Sequence, residues 1–174
     1  MTDRKSLWNE AGKAGLLLGG VSTAYLLLTA LLGKVPSHKV LLGILNFLLW
    51  AAKFAGCILL MRALMQRFVR LNPEADNSDS FRFGVVAALL SALFYAACNL
   101  AYVTFLAPDL YSAVLDGVMQ NPMMDANSRD ALLKLEPQLP KIGFFVNLAY
   151  CFLFGTILSA ILSRNIPSHD PFAQ

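Results

Sequence analysis

Charge is what this sequence has least of. Asp, Glu, Lys and Arg together make up 14% of its 174 residues, and there are only two histidines. None of its acids falls inside the four long apolar stretches delimited below. Hydrolysis or group transfer at a membrane needs carboxylates, paired histidines or a nucleophile beside a base. Here the histidines, His38 and His169, fall on opposite sides of the expected membrane and read as solvated loop residues. The three cysteines, Cys57, Cys98 and Cys151, are odd in number and widely spaced, matching neither a disulfide framework nor a zinc motif. Each lies in an apolar stretch, where thiol reactivity is suppressed and a packing role is expected. No glycine-rich phosphate loop or metal signature occurs. Basic and aromatic residues do not interleave as on a nucleic-acid-binding platform. These absences point to a chain that is not an enzyme, takes no cofactor and binds no nucleic acid.

What is abundant is apolar surface. Hydrophobic residues make up 57% of the chain and the mean hydropathy is +0.57, well beyond the range of water-soluble domains. A helix crossing roughly 30 Å of hydrocarbon needs about 20 apolar residues. Four windows qualify, at about 11–32, 40–61, 83–106 and 143–162. Gly33, Pro36 and Ser37 punctuate the first junction, Asn72 and Pro73 the second, and Pro137 and Pro140 precede the fourth window. The first is too long for a signal-peptide core and lacks a cleavage site. The expected fold class is therefore all-α, a single four-span transmembrane bundle, with a segment at about 107–140 outside the bilayer.

Positive residues in short loops stay cytoplasmic. Arg4, Lys5, Lys13, Arg62, Arg67, Arg70, Arg82 and Arg164 share the side of both termini, against Lys34, Lys39, Arg129, Lys134 and Lys141 opposite. The excess predicts both termini in the cytoplasm and residence in a bacterial inner membrane. In the outer segment, Leu110, Val114 and Val118 predict one short amphipathic helix. Ala131, Leu132 and Leu135 predict a second, capped at Ser128, with Asn121 and Pro122 at the join. Such a pair would lie on the membrane surface. Its acids, Asp109, Asp116, Asp125, Asp130 and Glu136, read as a solvated face. The tail from Asn165 to Gln174, with Pro167 and Pro171, reads as extended.

Membrane helices associate where small residues let backbones approach. Ala11, Gly15, Gly19 and Thr23 form one such ribbon, Gly84, Ala88, Ala92 and Ala96 a second, and Gly155, Ser159 and Ser163 a third. They predict close packing within one bundle, with a homo-oligomer seam as the alternative.

Lys53 is the most informative residue. A lysine near the bilayer centre costs about 2.5–3.5 kcal/mol on insertion scales, so it implies a partner, a wet cavity or a function. Asn46, Asn99 and Asn147 occupy one layer in the outer half of their spans. Helical side chains lean toward the helix N-terminus, which tips Lys53 outward while Tyr95 and Asn99 tip inward to meet it. Asn46, Trp50, Lys53 and Cys57 share a stripe of span two, and Tyr95, Asn99 and Tyr102 a stripe of span three. The two stripes predict a polar pocket holding Lys53, Asn46, Asn99, Tyr95, Asn147 and Tyr102. Three roles stay open for the ammonium: fixing helix register against tyrosine hydroxyls and asparagine carbonyls, binding an anionic ligand such as a lipid phosphate, or ion relay.

The run Ser80, Phe81, Arg82, Phe83, Gly84, followed by Asn99, Tyr102, Phe105, Pro108 and Asp109, resembles the four-span Bacteroidota family known as domain of unknown function forty-one ninety-nine, over nearly the whole chain. The resemblance implies the same architecture and carries over no catalytic residue. Family members are often encoded near polyprenyl-phosphate-linked glycosyltransferases, which implies such an enzyme as a partner. The function expected is a non-enzymatic accessory or binding component of envelope biogenesis in contact with membrane lipids. The alternative is a small transporter or flippase-like carrier that holds an anionic lipid headgroup at Lys53.

Overall fold

The computed structural model describes residues 4–33, 39–120 and 124–166. Four long helices dominate: α1 (Arg4–Leu32), α2 (Lys39–Leu71), α3 (Asn77–Ala101) and α6 (Leu139–Asn165). Between α3 and α6 lie the short α4 (Leu110–Met119) and α5 (Ala126–Leu135). Each long helix is apolar and long enough to cross a membrane, so the chain is a multi-pass membrane protein. The helices overrun the sequence-expected spans at several ends, because the helical hydrogen-bond ladder continues into the polar boundary after the apolar run has stopped. Gly33, Pro36 and Ser37 are the residues expected to break the chain between spans one and two. Of these only Gly33 is described, while Asn121, Pro122 and the tail beyond Ile166 likewise lie outside the described residues.

The junction between α2 and α3 shows how local chemistry sets an abrupt turn. The Asn72 side-chain amide donates to the Phe68 carbonyl at 3.0 Å, satisfying a helix-end acceptor, and Pro73 cannot prolong the helix. Four residues on, the Asp76 carboxylate accepts the Asp79 amide at 2.7 Å and caps α3. At its far end α3 loosens into a π-helical turn over Tyr102–Leu106, closed by a 3.0 Å bond from the Ala107 amide to the Tyr102 carbonyl. Pro108 follows and drives Ala107 off helical geometry.

Packing is uneven. α3 lies between α1 and α6 and is pressed closely against both, whereas α2 lies over them more loosely. The small-residue ribbons explain the close approaches. A Cβ on Gly15 would stand 2.7 Å from the Leu90 Cβ, and one on Gly19 would stand 2.8 Å from the Phe94 ring. On the other flank, Gly84 faces Ser159 and Gly155 faces Ala88. Ser159 donates to the Phe81 carbonyl at 3.1 Å, tying α6 to α3. All three ribbons thus pack within the chain, as expected of a single bundle.

The densest core lies at the end that carries both termini. Ala11, Ala14 and Leu18 of α1 meet Met61, Met65 and Phe68 of α2, Phe83 and Ala87 of α3, and Leu162 of α6. Phe68 and Phe83 stack with ring centroids 4.5 Å apart. No residue of α2 between Val40 and Leu60 is fully buried. α2 is therefore anchored at one end and loosely held along the rest.

In the outer segment, Leu115 is buried and Tyr111 lies against Gly143, which pins α4 to the bundle, while Leu110, Val114 and Val118 face outward. The cap of α5 is Asp125, not Ser128: the helix begins at Ala126, and the Ser128 amide donates to the Asp125 carboxylate at 3.3 Å. An acid three residues before a serine supplies the same capping oxygen one turn earlier.

Two predictions follow from these contacts. Gly84→Val should destabilise the detergent-solubilised protein by about 1–3 kcal/mol through overpacking, while Gly20→Ala, where an added Cβ meets nothing within 4 Å, should be neutral in thermal unfolding. Hydrogen bonding from Ser128 holds the Asp125 carboxyl below its ordinary value. A lowered folded-state pKa means the cap is at full strength above about pH 4 and is lost as pH falls below that. Protection of the Ser128 amide relative to its intrinsic exchange rate should fall in that acid range, and Asp125→Ala should show low protection with no such pH dependence.

Candidate functional site

Where α2 parts from the other helices there is a cavity of about 140 Å³ reached by all four spans. Leu18 and Ser22 come from α1, Ala88, Ser91 and Tyr95 from α3, and Gly155 and Leu158 from α6. α2 contributes Trp50, Lys53, Phe54, Cys57 and Met61, and α6 adds Tyr150, Cys151 and Phe154. At the end nearer the termini the cavity stops at Met61 and Leu18, both part of the dense core.

Among the described residues Lys53 is the only charged one in that lining. Its ammonium lies 4.9 Å from the ring centroid of Tyr25 and 5.3 Å from that of Tyr95. Both distances are within the reach of cation–π attraction. Among the described residues it forms no ion pair, and no acid lines the cavity. Two ring faces at about 0.5–2 kcal/mol each offset much of an insertion cost of about 2.5–3.5 kcal/mol. The rings attract the positive charge without neutralising it, and an ammonium keeps three directional donors for which oxygen acceptors are the natural partners.

The sequence-derived candidates separate in space. Lys53 and Tyr95 come together with Trp50 and Cys57 at the cavity. Asn99 lies a turn beyond Tyr95, its amide beside the tyrosine hydroxyl, outside the lining. Tyr102 is half-buried on the π-helical turn and does not reach the cavity. Asn147 is half-buried elsewhere on α6, and Asn46 is exposed. Asn46 stands seven residues into α2, about 10 Å from its start, which brings it near the polar boundary instead of into the bundle. Asn46 is seven residues from Lys53 and Asn147 seven from Phe154, on the same helical stripes as these lining residues, so the two amides differ from the lining in height along the helix, by about 10 Å, and not in direction. The contacts with Lys53 are ring faces, in place of the hydroxyls and carbonyls expected for a register-fixing role.

Tyr25 was missed, as were Ser22, Ser91, Tyr150 and Cys151. A signal for Tyr25 was present: span one ascends as span three does, so its tyrosine also leans toward its N-terminus and toward Lys53. Cys151 lies near both Lys53 and Cys57, so two of the three cysteines line the cavity and the third, Cys98, does not.

The family described as "Protein of unknown function (DUF4199)" matches residues 13–164. The chain belongs to that family. The match takes in all four long helices and the segment between α3 and α6, so the cavity is built wholly from the family's own region. No curated protein and no solved structure matches the chain.

The balance of energies at Lys53 predicts an asymmetric mutational pattern. Tyr25→Leu and Tyr95→Leu should each lower the stability of the solubilised protein by about 0.5–2 kcal/mol, and the Phe substitutions should retain most of it. Lys53→Leu, which removes the insertion cost together with the cation–π gain, should leave thermal stability unchanged or raise it. A fall of several degrees in Lys53→Leu would mean that the ammonium is there to hold the bundle together.

Proposed function

We propose that this protein is a non-enzymatic membrane component of envelope biogenesis that binds the anionic head of a lipid at Lys53. One observation carries the reading: an ammonium held between two tyrosine rings, in a cavity within the spans, with no acid in the lining to balance it. A buried charge in a low-dielectric medium interacts strongly with an opposite charge, so a phosphate or carboxylate is the ligand type with most to gain there. No lining residue pairs a nucleophile with a histidine or carboxylate, which favours binding over catalysis.

A carrier or flippase-like role calls for a path past the cavity to the other side. The tight cluster of Met61, Met65, Phe68 and Phe83 lies across that path, and the geometry therefore favours a binding site over a translocation route. In this reading the basic residues around the α2–α3 junction, including Arg62, Arg67, Arg70 and Arg82, face the cytoplasm of a bacterial inner membrane. Protein partners fit the same scheme, with a polyprenyl-phosphate-linked glycosyltransferase as one that would supply or accept such a lipid.

Native mass spectrometry of the purified chain should detect a co-purifying anionic lipid. Lys53→Leu should weaken it by about tenfold or more, the scale of one charge-assisted hydrogen bond, and Lys53→Arg should retain it. Equal lipid occupancy in wild type and Lys53→Leu would remove Lys53 from any binding role. Orientation is tested separately. Single cysteines at Ser78 and Ser128, in a background without the native three, should be labelled from the cytoplasmic and the opposite face respectively.

A further inference from the structure

The cavity wall is not uniform. Of its lining residues only three are exposed, Trp50, Phe54 and Tyr150, at 50%, 38% and 67%. All three stand on α2 or α6. The α1 and α3 side is closed by Leu18 and Ala88, both buried, and by half-buried Ser22, Ser91 and Tyr95. Phe54 and Phe154 meet across the same line with centroids 5.1 Å apart, in a region where α2 and α6 otherwise touch sparsely. The cavity therefore opens sideways between α2 and α6, at a height where the surroundings are hydrocarbon.

Two physical limits bear on what can occupy such a place. A side opening lined by indole, phenyl and phenol groups accepts an apolar chain at little cost, and an anion tethered to such a chain sets that gain against the desolvation cost that a free ion would bear alone. A cavity of about 150 Å³ holds a group the size of benzene, and the 140 Å³ here is of that scale. That scale suits a terminal phosphate or carboxylate beside Lys53 better than a head carrying a glycerol or sugar beyond its phosphate.

Resting on the anion-binding reading above, we infer that the ligand is an amphiphile with a compact terminal anion, a phosphate monoester or a carboxylate, whose chain leaves between α2 and α6. Ser22 and Ser91 line the same space as the ammonium, and an unesterified anion has the most oxygens to offer such donors.

The chain carries its own reporter, because its two tryptophans occupy different places. Trp50 stands at the side opening, and Trp8 lies in a separate apolar groove between α1 and α3. Full-length Trp8→Phe protein in phosphatidylcholine vesicles is titrated with brominated-chain phosphatidic acid, fatty acid or phosphatidylglycerol, with brominated phosphatidylcholine as reference. The compact heads should quench Trp50 with about tenfold higher relative affinity than the reference, and phosphatidylglycerol should stay near it. The preference should vanish in Trp8→Phe/Lys53→Leu, and inorganic phosphate should not compete. The phosphatidic acid and fatty acid arms show which of the two compact heads is taken. Phosphatidylglycerol matching phosphatidic acid would overturn the compact-head inference and leave anion binding standing. So would displacement by inorganic phosphate overturn the amphiphile, and a preference read by Trp8 in Trp50→Phe would overturn the α2–α6 opening. No preference for any anionic lipid would overturn this inference and the anion-binding reading together.

Discussion

A lysine ammonium held between two tyrosine rings inside a hydrocarbon-spanning bundle is a compromise among opposing costs. Taken from water without compensation, the charge would favour leaving the bundle. The faces of Tyr25 and Tyr95 supply a diffuse negative potential that makes the location tolerable. Because ring faces attract without neutralising, the site keeps its positive character. A carboxylate in either tyrosine's place would have closed an ion pair and left little to offer a ligand.

That arrangement requires helices that are close in one place and apart in another. The glycines of α1 and α3 and the small residues along α3 and α6 draw three helices together, and the cluster of Met61, Met65, Phe68 and Phe83 fastens the fourth at one end. Beyond that fastening α2 departs from its neighbours, and the resulting gap is the cavity. Packing and site are thus one design: a fully packed bundle would have no room for the lysine, and an evenly loose one would let lipid reach it from all sides.

Much of the scaffold was legible in the sequence because hydropathy and small-residue spacing are one-dimensional signals. The spans and the three ribbons follow from counting. Lys53 and Tyr95 were legible too, since a charge or a paired polar stripe inside an apolar run has few explanations. Tyr25 was overlooked because span one carries no charged residue beyond Lys13, twelve residues away, to draw attention to it. Asn46 and Asn147 stand on the same stripes as Lys53 and Phe154 but outside the cavity lining: residue spacing gives a face, and not how far along that face the helices stay apart. At α5, both Asp125 and Ser128 are capping residue types, and their spacing alone does not reveal which one starts the helix.

The position of one amine decides whether the cavity is an anion site. In protein labelled at the lysine ε-position, the Lys53 methylene next to the ammonium should show a pronounced upfield ring-current shift by NMR. That shift should shrink in Tyr25→Leu and again in Tyr95→Leu, while the other lysines are unaffected. A Lys53 resonance indistinguishable from those of the solvent-exposed lysines, and unmoved by either substitution, would contradict that position.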